Sequence, residues 1–207
     1  MNARPTDPAA KPGLRDIARD AVRARVAEVA IARFDADGFD QVTVEQIAAE
    51  VGISARSFHR YFPAKEDTVI GDPGRHRQAL AAAFRSRPAD EPVWTALREA
   101  FADLVSDSGG EDTETARRSI RVMTSTASLR ARNLEKHNAC AEVLTPLVAE
   151  RLAGPGVDLR ARTLVQAALG CFDVAIAEWA VGDEPDAVRT LHRTFDVIRP
   201  TNRGTAD

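Results

Sequence analysis

The segment from Thr43 to Phe62 leaves this chain the fewest options. Thr43-Val-Glu-Gln46 has a reciprocal capping pattern, in which the threonine hydroxyl accepts from the third residue and the glutamine returns a bond. The helix it starts is short, because Gly52, free of a Cβ, suits the positive-φ residue of a turn. Ser54 is a second cap, and its helix ends near Tyr61-Phe62. Two short helices crossing at a steep angle need a small residue where they touch, and Ala48 fits that place. Ile47, Val51, Ile53 and Phe58 supply the apolar seam between them and a long preceding helix. The pattern predicts a helix-turn-helix.

The second of these helices is two-faced. Ala55 and Phe62 lie within about 60° of Phe58 around the axis, with Tyr61 on the other flank. The opposite side carries Arg56 and Arg60, flanked by Ser57 and His59. An apolar back with a basic, hydrogen-bonding front suits a DNA major groove. The chain as a whole has 207 residues and a net charge of −3, so bulk electrostatics does not make it a polyanion binder. Positive charge has to be local. From Val51 to Lys65 stand Arg56, Arg60 and Lys65 with no acid, whereas Arg15, Arg19, Arg23 and Arg25 are interleaved with Asp16, Asp20 and Glu28.

The run Val44-Glu-Gln-Ile-Ala-Ala-Glu-Val-Gly-Ile-Ser-Ala-Arg-Ser-Phe-His-Arg-Tyr-Phe-Pro-Ala-Lys-Glu66 closely resembles the signature of the tetracycline-repressor (TetR) family. Phe34 and Gly38-Phe39 stand upstream at the family's usual spacing, so the resemblance covers about residues 22–70. It implies an all-α chain, with an N-terminal three-helix helix-turn-helix domain and a C-terminal helical ligand-binding and dimerisation domain. It implies a sequence-specific regulator of transcription, a repressor released by a small-molecule effector; a non-enzymatic role and a cytoplasmic address are expected from the missing catalytic, membrane and secretory features. Its partners would be double-stranded operator DNA and a second copy joined through the last two long helices. Thr43, Tyr61 and Lys65 correspond to phosphate contacts, and Arg56, Ser57 and His59 to the positions that reach base edges. Ser54, Ala55 and Arg60 share that surface. Each has a plainer reading: Thr43 and Ser54 as caps, Tyr61 as core, Arg60 as a solvated or phosphate-holding residue.

The rest of the chain reads as helix separated by breakers. Residues 1–13, with Pro5, Pro8, Pro12 and Gly13, form an arm that reads as a flexible tail or, through Arg4, Lys11, Arg15 and Arg19, as a minor-groove contact. Leu14 to Ala36 is one amphipathic helix, with Val22, Val26, Val29, Ala30 and Phe34 at helical spacing. Gly38 ends it in the left-handed conformation. The helix-turn-helix domain spans 14–66, the regulatory and dimerisation domain 67–199, and 200–207 is a flexible tail. Pro63 suits the first turn of the next helix, with Lys65 at its start. Asp72-Pro73-Gly74 breaks that segment, with Asp72 recapping the second piece. The break departs from the family's continuous fourth helix, which moves the recognition helices when ligand binds, and puts a hinge in that relay. Further helices are expected at about 93–106, 112–124, 127–153, 158–182 and 184–198. Ser108-Gly109-Gly110 is a breaker, and Pro146 should bend its helix.

In the C-terminal part, Ala167, Gly170, Cys171, Val174, Ala177 and Val181 make a stripe of small residues that permits close helix packing. Leu191, Phe195 and Ile198 make an apolar stripe on the final helix. Both read as a dimer seam, with internal packing as the plainer alternative. Dimeric helix-turn-helix proteins space their recognition helices by one DNA turn, ~34 Å. Candidate walls of a ligand pocket are Phe84, Trp94, Leu97, Phe101, Met123, Leu144, Phe172 and Trp179, any of which also reads as core. His137, Asn138 and Arg121 could supply polar specificity. Ser128–Lys136 resembles a segment of actinobacterial TetR regulators of the mycofactocin-system subgroup.

Other classes lack their parts. There is no His and carboxylate set at metal spacing, no Gly-rich phosphate loop and no nucleophile elbow, so no metal or cofactor is expected. The competing reading is a helical-bundle interaction or ligand-binding protein that has lost DNA binding. Cys140 and Cys171 read as buried, reduced thiols. No stretch is expected to reach the ~18 apolar residues of a membrane span, and the N-terminus has no secretory core.

Overall fold

The computed structural model describes residues 13–107 and 113–198, which leaves the arm bearing Arg4 and Lys11, the Ser108-Gly109-Gly110 breaker and the 200–207 tail outside it. Among the described residues there are ten α-helices, one 3-10 turn and no strand. The chain divides into two compact units, one ending at Thr68 and one beginning at Val69.

The first unit is built on α1 (Leu14–Asp37), the 3-10 turn Phe39–Gln41, α2 (Val44–Val51) and α3 (Ala55–Tyr61). Val26, Ala30 and Phe34 of α1 are buried with Ile47, Ala48, Phe58 and Phe62, so the small Ala48 does stand where the helices meet. Both caps form. Gln46 N–H donates to Thr43 Oγ1 at 3.3 Å while Thr43 N–H donates to Gln46 Oε1 at 2.8 Å. Ser57 N–H donates to Ser54 Oγ at 3.1 Å. Gly52 takes φ 80° and ψ 30°, the left-handed conformation a side chain resists.

Two local expectations are corrected. Gly38 has a positive φ of 86° but an extended ψ of 140°: its N–H closes the helix on the Phe34 carbonyl at 3.0 Å, and the chain then enters the Phe39–Gln41 turn with Phe39 buried. Pro63 does not open a helix, and Lys65 does not start one. Residues 63–66 form turns, in which Ala64 N–H donates to Asp67 Oδ2 at 3.0 Å and Thr68 Oγ1 donates to the Lys65 carbonyl at 2.6 Å. These bonds delay α4 to Asp67–Ile70, a helix of only 4 residues.

The second unit contains α5 (Pro73–Ser86), α6 (Val93–Asp107), α7 (Thr113–Ser125), α8 (Ala127–Glu150), α9 (Val157–Val181) and α10 (Ala187–Val197). The predicted break is present: Asp72 Oδ1 accepts from Gly74 N–H at 2.8 Å and Arg75 N–H at 3.3 Å, with Pro73 opening α5. Asp186 caps α10 in the same way, which moves its start from 184 to Ala187. Pro146 lies inside α8, which stays helical on both sides of it. The core gathers Phe84, Leu97, Phe101, Leu144, Val165, Leu191 and Phe195.

The expectation that no stretch approaches a membrane span is overturned by α9, which is 25 residues long and reaches a mean hydropathy of 1.5. Part of its apolarity has a packing reason, since α9 contacts α6, α7, α8 and α10, while Leu159, Val174 and Val181 stay exposed.

Candidate nucleic-acid interface and internal cavity

The helix-turn-helix holds α3 from behind and leaves its front in solvent. Phe58 is fully buried, with its ring 5.6 Å from Phe62. Arg23 on α1 stacks over Phe62 at 4.5 Å and donates to the Tyr61 carbonyl, tying the end of α3 to the long helix. On α2, Glu50 accepts from Arg33 of α1 at 2.6 Å. The position and tilt of α3 are thus fixed by contacts on its inner side.

On the outer side Arg56, His59 and Arg60 are exposed and Ser57 is half-buried. Arg60 lies over the Tyr61 ring at 5.1 Å, and its guanidinium donates to Tyr61 Oη at 3.3 Å. Thr43 and Ser54 are exposed at the two N-caps, while Ala55 and Tyr61 are half-buried. Lys65 stands apart from these. Its ammonium donates to the carbonyls of Phe39 at 2.8 Å and Val42 at 3.1 Å, and lies 4.2 Å from the Phe39 ring centre. It fastens the turn after α3 to the start of α2, with one donor left over. This anchoring role, and that of Arg23, escaped sequence reasoning because both bridge residues at least 20 apart in the chain.

A cavity of about 950 Å³ lies within the second unit. Its wall runs from Ile70 and Gly71 through His76 on α5, Leu104 on α6, Ile120 and Met123 on α7, Asn133, Lys136 and His137 on α8, and Phe172, Asp173 and Trp179 on α9. Met123, His137, Phe172 and Trp179 were anticipated from sequence. Phe84, Trp94, Leu97, Phe101 and Leu144 are corrected to core. Trp94 donates to the Phe195 carbonyl at 3.2 Å and stacks on that ring at 4.9 Å, and Phe101 lies 5.1 Å from Phe172. Phe84 is buried beneath Arg151, whose guanidinium sits 4.5 Å from its ring. Arg121 is also off the wall, engaged with Glu114 at 2.7 Å and the Ala180 carbonyl at 3.3 Å, and Asn138 is exposed away from it.

The polar lining is unusual. Lys136 is only 8% exposed, and burial pushes its pKa below the ordinary lysine value. Burial, with the Lys136 charge second, lowers His76 to about 4, so its imidazole is neutral. His137 Nδ1 lies 3.2 Å from Asp173 Oδ2. Asn133 Oδ1 is buried with no hydrogen-bond partner. A periodic signal for these was present: Leu129, Lys136, Cys140, Leu144 and Val148 share the buried stripe of α8, so Lys136 occupies an apolar position.

The expected dimer stripes divide. Leu191 and Phe195 are buried at 0% exposure in the core of the unit, and Cys171 is buried with its thiol 3.7 Å from the Thr194 carbonyl. These are corrected to internal packing, because α9 and α10 close on each other along that line. Gly170, Val174, Ala177 and Val181 on α9 and Ile198 after α10 remain exposed. Cys140 and Cys171 are both free, and burial raises both thiol pKa values, which keeps them protonated.

Two family models match the chain: one described as bacterial regulatory proteins of the tetR family over residues 26–69, and one described as the MftR C-terminal domain over residues 91–202. Among curated proteins, a mycofactocin biosynthesis transcriptional regulator, MftR of Mycobacterium tuberculosis, is 29% identical over 84% of this chain and 87% of its own. The HTH-type transcriptional regulator TcmR of Streptomyces glaucescens is 29% identical over 91% of this chain and 88% of its own. Among solved structures, the fatty acid degradation regulator FadR of Bacillus halodurans superposes with a TM-score of 0.63 at 16% identity, covering 94% of this chain and 99% of that one.

Proposed function

Because the chain belongs to the TetR family of transcriptional regulators, with the MftR-type C-terminal domain over residues 91–202, we propose that it binds an operator through α3 and releases it when the cavity fills. Arg56, Ser57 and His59 are the base-reading group, with Arg60 beside them. Thr43, Ser54, Tyr61 and the spare donor of Lys65 hold phosphates, and Ala55 lies close to the backbone. The carrying observation is the asymmetry of α3, whose Phe58 is fully buried while Arg56, His59 and Arg60 face solvent. A homodimer would present two such helices. The exposed Gly170 and Val181 support α9 as part of its seam, while Val174 and Ala177 line the cavity.

The cavity reading rests on its size and mixed lining, which suit a small molecule of largely apolar surface. Effector binding would release the DNA to the extent that the ligand prefers the conformer of lower DNA affinity.

The test is to select bound sequences from a random DNA pool with the full-length protein and titrate them by fluorescence anisotropy. Arg56→Ala should weaken the selected site by about 1–3 kcal/mol and relax the preference at one base pair. Affinity should also fall steeply with salt as phosphate contacts release counterions. Unchanged affinity in Arg56→Ala would sink the assignment. Lys65 is the poorer probe, because removing it also loosens the turn it fastens.

A further inference from the structure

A lysine buried in an apolar wall is costly unless something answers its charge. Lys136 is 8% exposed and lines the cavity, and among the described residues no acceptor or carboxylate is within bonding distance of its ammonium. The nearest acid, Asp173, engages His137 at 3.2 Å and has a side chain 46% exposed. Asn133 adds a second unanswered polar group, and half a turn of its amide would offer N–H donors at the same place. The wall also carries an apolar set, Ile120, Met123, Phe172 and Trp179, among polar residues that include Ser119 and Thr124.

The charge count favours one kind of anion. His76 is held neutral, its ring hydrogen-bonded to the Asp72 backbone, so it brings no second positive charge. Arg130, the other long cation on the wall, is exposed and donates to the Thr124 carbonyl at 2.9 Å. The two acids on the wall are already engaged, Asp173 with His137 at 3.2 Å and Asp186 with the Val188 and Arg189 N–H groups. One buried ammonium is left to match a single negative charge, whereas a phosphate dianion is better met by paired or forked cations.

We propose that the cavity takes an amphipathic monocarboxylate, its carboxylate on Lys136 Nζ and its apolar body along Ile120, Met123, Phe172 and Trp179. This rests on the reading of the cavity as the effector site and adds the chemical class of the effector.

Dodecanoate and 1-dodecanol share a flexible chain that adapts to an irregular wall and differ in the charge of the head. Isothermal titration of the full-length protein should give at least tenfold tighter binding of dodecanoate than of dodecanol. Dodecyltrimethylammonium should bind weakest. Lys136→Met should bring acid and alcohol within twofold of each other, and Lys136→Arg should keep part of the preference. Removing an unanswered charge should raise the melting temperature of Lys136→Met, so its lost preference would not be a folding defect. Equal binding of acid and alcohol by the natural protein overturns the proposal, as does a preference that survives in Lys136→Met. In either case, dodecanol binding that Ile120→Trp abolishes leaves the effector cavity itself standing. A protein that binds neither amphiphile overturns the proposal as well.

Discussion

Two lysines, one in each unit, are treated in opposite ways. Lys65 in the DNA-reading unit is half-buried, donates to two backbone carbonyls and sits on the Phe39 ring. Lys136 in the sensing unit is more deeply buried and has no such partners among the described residues. The contrast extends beyond the pair. The first unit satisfies its polar groups internally through Thr43, Ser54, Arg23 and Lys65 and turns its spare basic groups outward on α3. The second unit turns unanswered polar groups inward, towards a cavity. On the proposed reading, a DNA groove is met at a surface, by a unit whose polar groups are already answered. A small ligand would be met inside, by a unit that has polar groups left for it.

The largest test of the contrast lies in the core of the sensing unit. Phe195→Ala should destabilise the protein by about 3–5 kcal/mol, read by thermal denaturation, because the ring is fully buried between α6 and α9. A variant that merely dissociates into stable monomers would return Phe195 to the dimer seam. The same substitution at the two lysines should then give opposite signs. Lys65→Met strands two carbonyls and should cost about 1–3 kcal/mol of stability, whereas Lys136→Met should add about 1 kcal/mol. Equal signs in urea melts would dissolve the comparison.

Acid should weaken the sensing unit through His76. The fold keeps this imidazole neutral down to about pH 4, while the unfolded chain takes up its proton near the ordinary value of 6.5. Stability is therefore complete above pH 6.5 and falls as pH drops towards 4, by up to about 3 kcal/mol for this group. His76→Gln should flatten that part of the pH–stability curve; an unaltered slope assigns the loss elsewhere. The smallest effect expected is in the DNA-reading unit. Gly52→Ala meets no atom within 4 Å, so only the left-handed backbone at φ 80° opposes it, at about 1 kcal/mol. A loss above about 3 kcal/mol would mean that the turn is constrained by more than its own backbone.

What the sequence disclosed follows the range of the interactions involved. Caps, breakers and the two faces of α3 depend on residues three to seven apart, so Thr43, Ser54, Asp72 and the Phe58 back were readable directly. Helix limits failed where a side chain intervened locally in an unforeseen way, as Asp67 does in holding the turn before α4. The cavity depended on which of several apolar helices close upon one another. Large aromatics attracted attention, yet Phe84, Phe101 and Trp94 were spent on core packing. The informative residue was a polar one in the wrong place, since Lys136 interrupts the buried stripe of Leu129, Cys140 and Leu144.

The shortness of α4 has a mechanical consequence. Four residues rise only about 6 Å, so tilting α4 by about 10° moves its end by about 1 Å, whereas the same tilt of the 14-residue α5 moves its end by about 4 Å. As lever arms the two are unequal, and the bend between them falls at Gly71, with φ 75°, and the Asp72 cap. Ile70 and Gly71 are also cavity wall. On the proposed reading, a ligand there would press on the fulcrum and not on the end of an arm, and a fulcrum governs the bending stiffness of a joint more than its travel.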